Sequence, residues 1–181
     1  MRIKSGPAQW AGVALILGWS VLLAFGLPRW AAAIPAEQAV EAGQAVSVGG
    51  VSLTPVEGWG IAPESTEILI LRKQGAQLTA LPPRAATGDA SAEVATAMAA
   101  YADDPSTDWK VSDPAEFTTA AGAPGVYSFA LAPQQFIANY VVVIDGQTYQ
   151  VLVNGTDTDW TTLHDEILDT VSTLEPAGAG A

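Results

Sequence analysis

The chain reads as an α+β protein: a single N-terminal transmembrane helix, then a mainly antiparallel sheet packed by two helices. Three observations predict this. Residues 5–28 carry no charged side chain. Three runs rich in Val, Ile, Tyr and Phe (125–132, 136–144 and 147–153) follow one another across short turns, the pattern of half-buried strands joined as hairpins. Two stretches, 88–104 and 158–174, switch to apolar spacing of helical period. Hairpin connections imply an antiparallel sheet, and each amphipathic helix must bury its stripe on that sheet.

The first element is a membrane anchor. The 24 uncharged residues between Lys4 and Arg29 would make about 36 Å of helix, enough for a hydrocarbon core of roughly 30 Å. Trp10 and Trp30 bracket residues 10–30, with Trp19 between them, and the outer pair fall where interfacial aromatic belts lie. Arg2 and Lys4 sit on the short side, so the positive-inside rule puts residues 1–9 in the cytoplasm and the remainder outside. The alternative is a signal peptide cleaved near Ala33. The apolar run is longer than the usual signal core, which favours the anchor. In both cases the domain is extracytoplasmic.

Residues 31–45 (AAAIPAEQAVEAGQA) lack an apolar period and read as a spacer, about 20–25 Å long as a flexible coil. Residues 176–181 (PAGAGA) read as a disordered tail. The domain is therefore expected over 46–175. Its strands begin with Val46, Val48, Val51 and Leu53 in alternation before a turn at Glu57-Gly58. Residues 66–72 and 76–81 flank Lys73-Gln74-Gly75, a hairpin with Gly available for positive φ. In the first helix Val94, Ala97, Met98 and Tyr101 share a face, Asp89 or Ser91 can cap the start, and Pro105 stops it. Asp145-Gly146, between two apolar strands, is a strong hairpin signal. In the last helix Trp160, Leu163, Ile167, Leu168, Val171 and Leu174 form one face, closed by Pro176.

Charge narrows the function. Residues 1–30 carry +3, from Arg2, Lys4 and Arg29. Residues 31–181 carry −15, from all 19 acids against Arg72, Lys73, Arg84 and Lys110. Such a domain repels phosphates and is no nucleic-acid binder. The same charge opposes self-association, so the ectodomain is expected to be monomeric, and it discourages close approach to anionic headgroups. No cysteine is present, which excludes disulfides, thiolate metal sites and a lipid-modified N-terminal cysteine.

The runs VSLTPVEGWG (51–60) and TEILILRKQGAQLTAL (66–81), the Ala-rich helix and the closing TDWTTLHDEILDTVSTL (158–174) resemble a family of actinobacterial envelope proteins. Its members carry a signal or anchor and a small PsbP-like or LpqN-type α/β/α sandwich. The Pro-x-x-Gly-Trp turn at Pro55–Trp59 and the Gly75 hairpin are the most motif-like parts. LpqN-type proteins have a lipidated Cys; here attachment would fall to the apolar helix. The resemblance implies an accessory binding module of a larger membrane assembly.

No residue pattern points to catalysis. The chain has no Gly-x-Ser-x-Gly, no phosphate-binding Gly loop and no His-Glu-x-x-His. His164 is the one histidine; it falls within the apolar arc of the last helix, with Asp165 and Asp169 turned away, and is expected half-buried beside the sheet. Trp59, between two glycines, reads as a core plug, with an exposed binding aromatic as the other reading. Asp103, Asp104 and Asp108, and Asn154, Asp157 and Asp159, are acid clusters without the spacing of a calcium loop. Asp157 or Asp159 suits a helix N-cap or first-turn charge. The expectation is a non-catalytic module with no cofactor or metal, acting with a membrane or envelope protein. Small side chains along 90–102 leave an apolar ligand between sheet and helix as the second reading; a metal-dependent or hydrolytic enzyme, resting on His164 and nearby acids, is the third.

Overall fold

The computed structural model describes residues 37–178. The expected span 10–30 with Trp10, Trp19 and Trp30 lies outside them, and among the described residues no helix is long and apolar enough to cross a membrane.

Strands β1 (Gln38–Ala39), β4 (Gly60–Ile61), β5 (Leu69–Lys73), β6 (Ala76–Ala80), β12 (Gln147–Gly155), β11 (Gln135–Ile144), β10 (Pro124–Ala132) and β8 (Lys110–Val111) are neighbours in that order. Two short strands complete the sheet: β7 (Arg84–Ala85) pairs with β12 and β9 (Ala115–Thr118) with β10. All pairings are antiparallel. A second sheet joins β2 (Val46–Val48), β3 (Val51–Leu53) and β13 (Glu175–Pro176). The fold is thus a mainly antiparallel sheet with two helices, α1 (Ala90–Ala102) and α2 (Asp157–Ser172).

Side chains alternate across a strand, and the two apolar clusters divide accordingly. On β11, Phe136, Ala138, Tyr140 and Val142 join the large cluster with Trp160, Leu163, Ile167 and Val171 of α2. Val141, between them, joins a smaller cluster with Ala130 and with Val94 and Met98 of α1. The helices therefore cover opposite faces of one sheet. The second sheet adds Val46, Val51 and Leu53 to the α2 side.

Turn chemistry follows the residues. Asp145 and Gly146 both have positive φ, 50° and 73°, as a tight hairpin between right-twisted strands requires. The β5–β6 turn differs from expectation, because Gln74 takes the positive φ (54°) and Gly75 does not. Gly75 is needed for space: a Cβ there would stand 2.5 Å from Asp159 Oδ2. Asp159 belongs to a capping box at the start of α2. The Thr156 hydroxyl accepts from the Asp159 N–H, and the Asp159 carboxylate accepts from the Thr156 N–H at 2.9 Å. The N-cap is thus Thr156, with Asp157 a first-turn charge. Asp89 caps α1, accepting from the Ala92 N–H at 2.8 Å.

Two boundaries move. The domain begins before residue 46: Gln38 and Ala39 pair with Ile61 and Gly60, and Val40 is buried. Part of the expected spacer is therefore the edge of the sheet. At the other end Pro176 pairs with Val51, and the Ala177 N–H donates to the Gly50 carbonyl at 3.0 Å. Residues 176 and 177 belong to the second sheet and not to a disordered tail.

Candidate functional site

An apolar concavity lies where α1 begins, on the α1 face of the sheet. It is a cleft of about 510 Å³ lined by Asp89, Ala90 and Ser91 of the helix start, Glu116 to Thr118 of β9, Pro124 to Val126 of β10, and Val143. Register builds it. Glu116 stands opposite Val126 and Thr118 opposite Pro124, so their side chains share the face on which Val126 packs towards Val94 and Met98. Phe117 points the other way, across Gly125, where a Cβ would lie 2.5 Å from its ring. Val126 and Val143 make a half-buried apolar floor, and Asp89 and Glu116 are the charged side chains of the lining.

Beside this cleft, a polar knot fastens α1 to the sheet. The Glu93 side chain, 5% exposed, pairs with Arg84 of β7. It also accepts from the Thr87 N–H and hydroxyl and the Thr148 hydroxyl, each at 3.1 Å. Burial pushes the Glu93 carboxyl up, but these bonds outweigh it and hold it below the usual range. A smaller cleft of about 290 Å³ adjoins this knot.

The residues singled out in the sequence do not converge. Trp59 is 1% exposed and is a core plug; the exposed-aromatic reading does not hold. His164 is on the opposite face from the cleft. Its ring lies edge-on to Trp160 at 4.5 Å and tilted against Tyr127 at 6.2 Å, half-buried as expected. Asp165 is not turned away: its carboxylate reaches back to His164 Nδ1 at 3.3 Å while remaining fully exposed. Asp104 accepts from the Ser106 hydroxyl and N–H, which lower its pKa. The Thr156 hydroxyl and N–H lower the pKa of Asp159 likewise. Among the described residues no group of three His, Asp or Glu side chains is placed to hold a metal ion.

The cleft itself was not read from the sequence. Its lining comes from four separated segments, and only the small side chains of α1 hinted at room between helix and sheet.

No family model matches the chain, and no curated protein matches it by sequence. Solved structures do. The chain is similar to the cyanobacterial PsbP (CyanoP) of Synechocystis sp. PCC 6803, with a TM-score of 0.51 and 12% identity over 76% of this chain and 94% of that one. It is also similar to LpqN, a protein involved in cell envelope biogenesis of Mycobacterium tuberculosis, with a TM-score of 0.47 and 18% identity over 78% and 91% of the two chains. The fold is PsbP-like.

Proposed function

We propose that this chain is a non-catalytic, membrane-tethered, extracytoplasmic binding module that acts with another envelope or membrane protein. The observation that carries the reading is the site. The apolar cleft at the start of α1 holds two carboxylates and two hydroxyl side chains, while the one histidine sits across the sheet from it. An acyl-transfer or hydrolytic site needs a nucleophile and a base within hydrogen-bond reach; a binding cleft needs an apolar floor and a few polar groups at its rim. The uncharged segment 5–28 supplies the tether, and fold-level analogy with accessory domains adds support as analogy only.

The test is gentle detergent extraction of the tagged full chain after cross-linking in intact cells. A defined membrane protein should co-purify in fixed ratio, the His164→Ala variant should keep it, and a form released from the anchor should lose it. If the released domain complements a deletion in full while His164→Ala does not, the reading fails and a soluble catalytic role replaces it.

A second reading has its own support. About 510 Å³ is within the range of small-molecule pockets, so the cleft is large enough for an apolar ligand between sheet and α1. Native mass spectrometry of the extracted protein would show that ligand as a mass adduct.

A further inference from the structure

We infer that the cleft and the open edge of β9 together form a strand-addition site for an extended, basic segment of the partner protein. This rests on the binding-module reading above and names the surface and the partner chemistry. The first step is the hydrogen-bond pattern of β9. The Thr119 N–H donates to the Ala123 carbonyl at 2.9 Å, which marks Thr119–Ala123 as a bonded pair. Bonded and non-bonded pairs alternate along an antiparallel ladder, and the register runs Thr118↔Pro124, Phe117↔Gly125, Glu116↔Val126, Ala115↔Tyr127. Phe117 and Ala115 therefore turn their main-chain groups to β10. Glu116 and Thr118 turn theirs outward, and among the described residues no strand pairs with that edge.

The same two residues line the cleft with their side chains. One stretch of backbone thus offers donors and acceptors to an incoming strand while its side chains face the apolar floor of Val126 and Val143. A small apolar ligand would use the floor and leave the edge idle; an extended peptide uses both, since main-chain bonds give affinity and alternate side chains give specificity.

Charge selects which peptide. Asp89 and Glu116 line the cleft, and none of Arg72, Lys73, Arg84 and Lys110 does. Arg72, Lys73 and Arg84 are held in ion pairs elsewhere, with Glu37 and Glu64, Glu166 and Glu93. Like charges directly opposite across strands destabilise and opposite charges stabilise. A charged residue in the middle of a short edge strand also deters indiscriminate pairing. Glu116 in β9 thus disfavours an acidic strand and favours one that sets Lys or Arg beside it. The positive end of α1 would oppose a cation, but the Asp89 carboxylate caps that end.

The experiment uses the full chain in detergent and two labelled octapeptides, one alternating valine with lysine and one alternating valine with glutamate. Binding is followed by fluorescence anisotropy. The lysine peptide should bind and the glutamate peptide should not. Glu116→Lys should weaken the lysine peptide by about tenfold or more, the scale of a lost charge-assisted hydrogen bond, and should create binding for the glutamate peptide. Thr118→Pro removes an outward N–H, a change edge strands tolerate, and should abolish binding of the lysine peptide; unchanged thermal unfolding of each variant shows that the fold is kept. The inference is overturned if the two peptides bind alike, if neither variant changes binding, or if mass spectrometry shows a small molecule filling the cleft. The cross-linking experiment separates the two readings. If Glu116→Lys still captures the wild-type partner, this surface is wrong while the binding module stands; if the wild type captures none, the module reading itself falls.

Discussion

Replacing Ile167 by Ala measures whether α2 is held by the sheet. Ile167 is fully buried in the large cluster, between Leu163 and Val171 on the face that meets β11 and β12. The substitution removes three side-chain carbons, and at about 0.8 kcal/mol per buried methylene the transfer loss alone is about 2.4 kcal/mol. The neighbouring strands cannot collapse into the gap without breaking ladder bonds, so a cavity term adds to it, and the total should fall at about 2–5 kcal/mol. At this size one kcal/mol corresponds to roughly 4 °C, so the midpoint should drop by about 8–20 °C. The assay is thermal and urea unfolding of residues 37–178, with the urea slope unchanged. Leu168→Ala, at a half-buried neighbour on the same helix, should cost less than half as much. Equal losses for the two, or an unchanged midpoint for Ile167→Ala, would refute the claim that α2 is packed on the sheet by this face.

Further tests follow from the geometry. Gly75→Ala sets a Cβ against Asp159, so it should cost about 0.5–2 kcal/mol through the lost cap; unfolding of the double variant with Asp159→Ala should be less than additive. Glu93 titrates below its ordinary 4.5 in the fold. Its contribution is therefore complete above about pH 4.5 and is lost as pH falls through the lower folded value; a pH series of unfolding midpoints should show Glu93→Gln flattening that acid loss. If the domain lies outside the membrane, protease added to intact spheroplasts should digest it; survival until the membrane is broken reverses the orientation.

What could be read in advance depended on element length. β10, β11 and β12 are nine or ten residues long, long enough for their richness in Val, Ile, Tyr and Phe to declare strands. α2 repeats its apolar face over four turns. By contrast β1, β4, β7 and β8 have two residues each, too few for any period, and each is set by the strand it pairs with. Pro176 looked like a terminator, yet proline suits an edge strand, which does not ask it for an N–H. Gly75 drew attention as a turn residue, whereas its reason lies 84 positions away at Asp159. The cleft was illegible for the same cause: Glu116, Val126 and Asp89 meet only through register and helix placement.

The second sheet also sets a clock on synthesis. Thr54 and Thr173 meet across 119 residues, the Thr173 hydroxyl accepting from the Thr54 N–H at 2.7 Å. At about 5–20 residues per second the second partner is made roughly 6–24 s after the first. Throughout that interval Leu53 and Trp59, both buried in the finished fold, have no α2 to cover them. Such distant pairings also slow folding once the chain is complete. The nascent chain therefore keeps this apolar surface uncovered until α2 is made, near the end of synthesis.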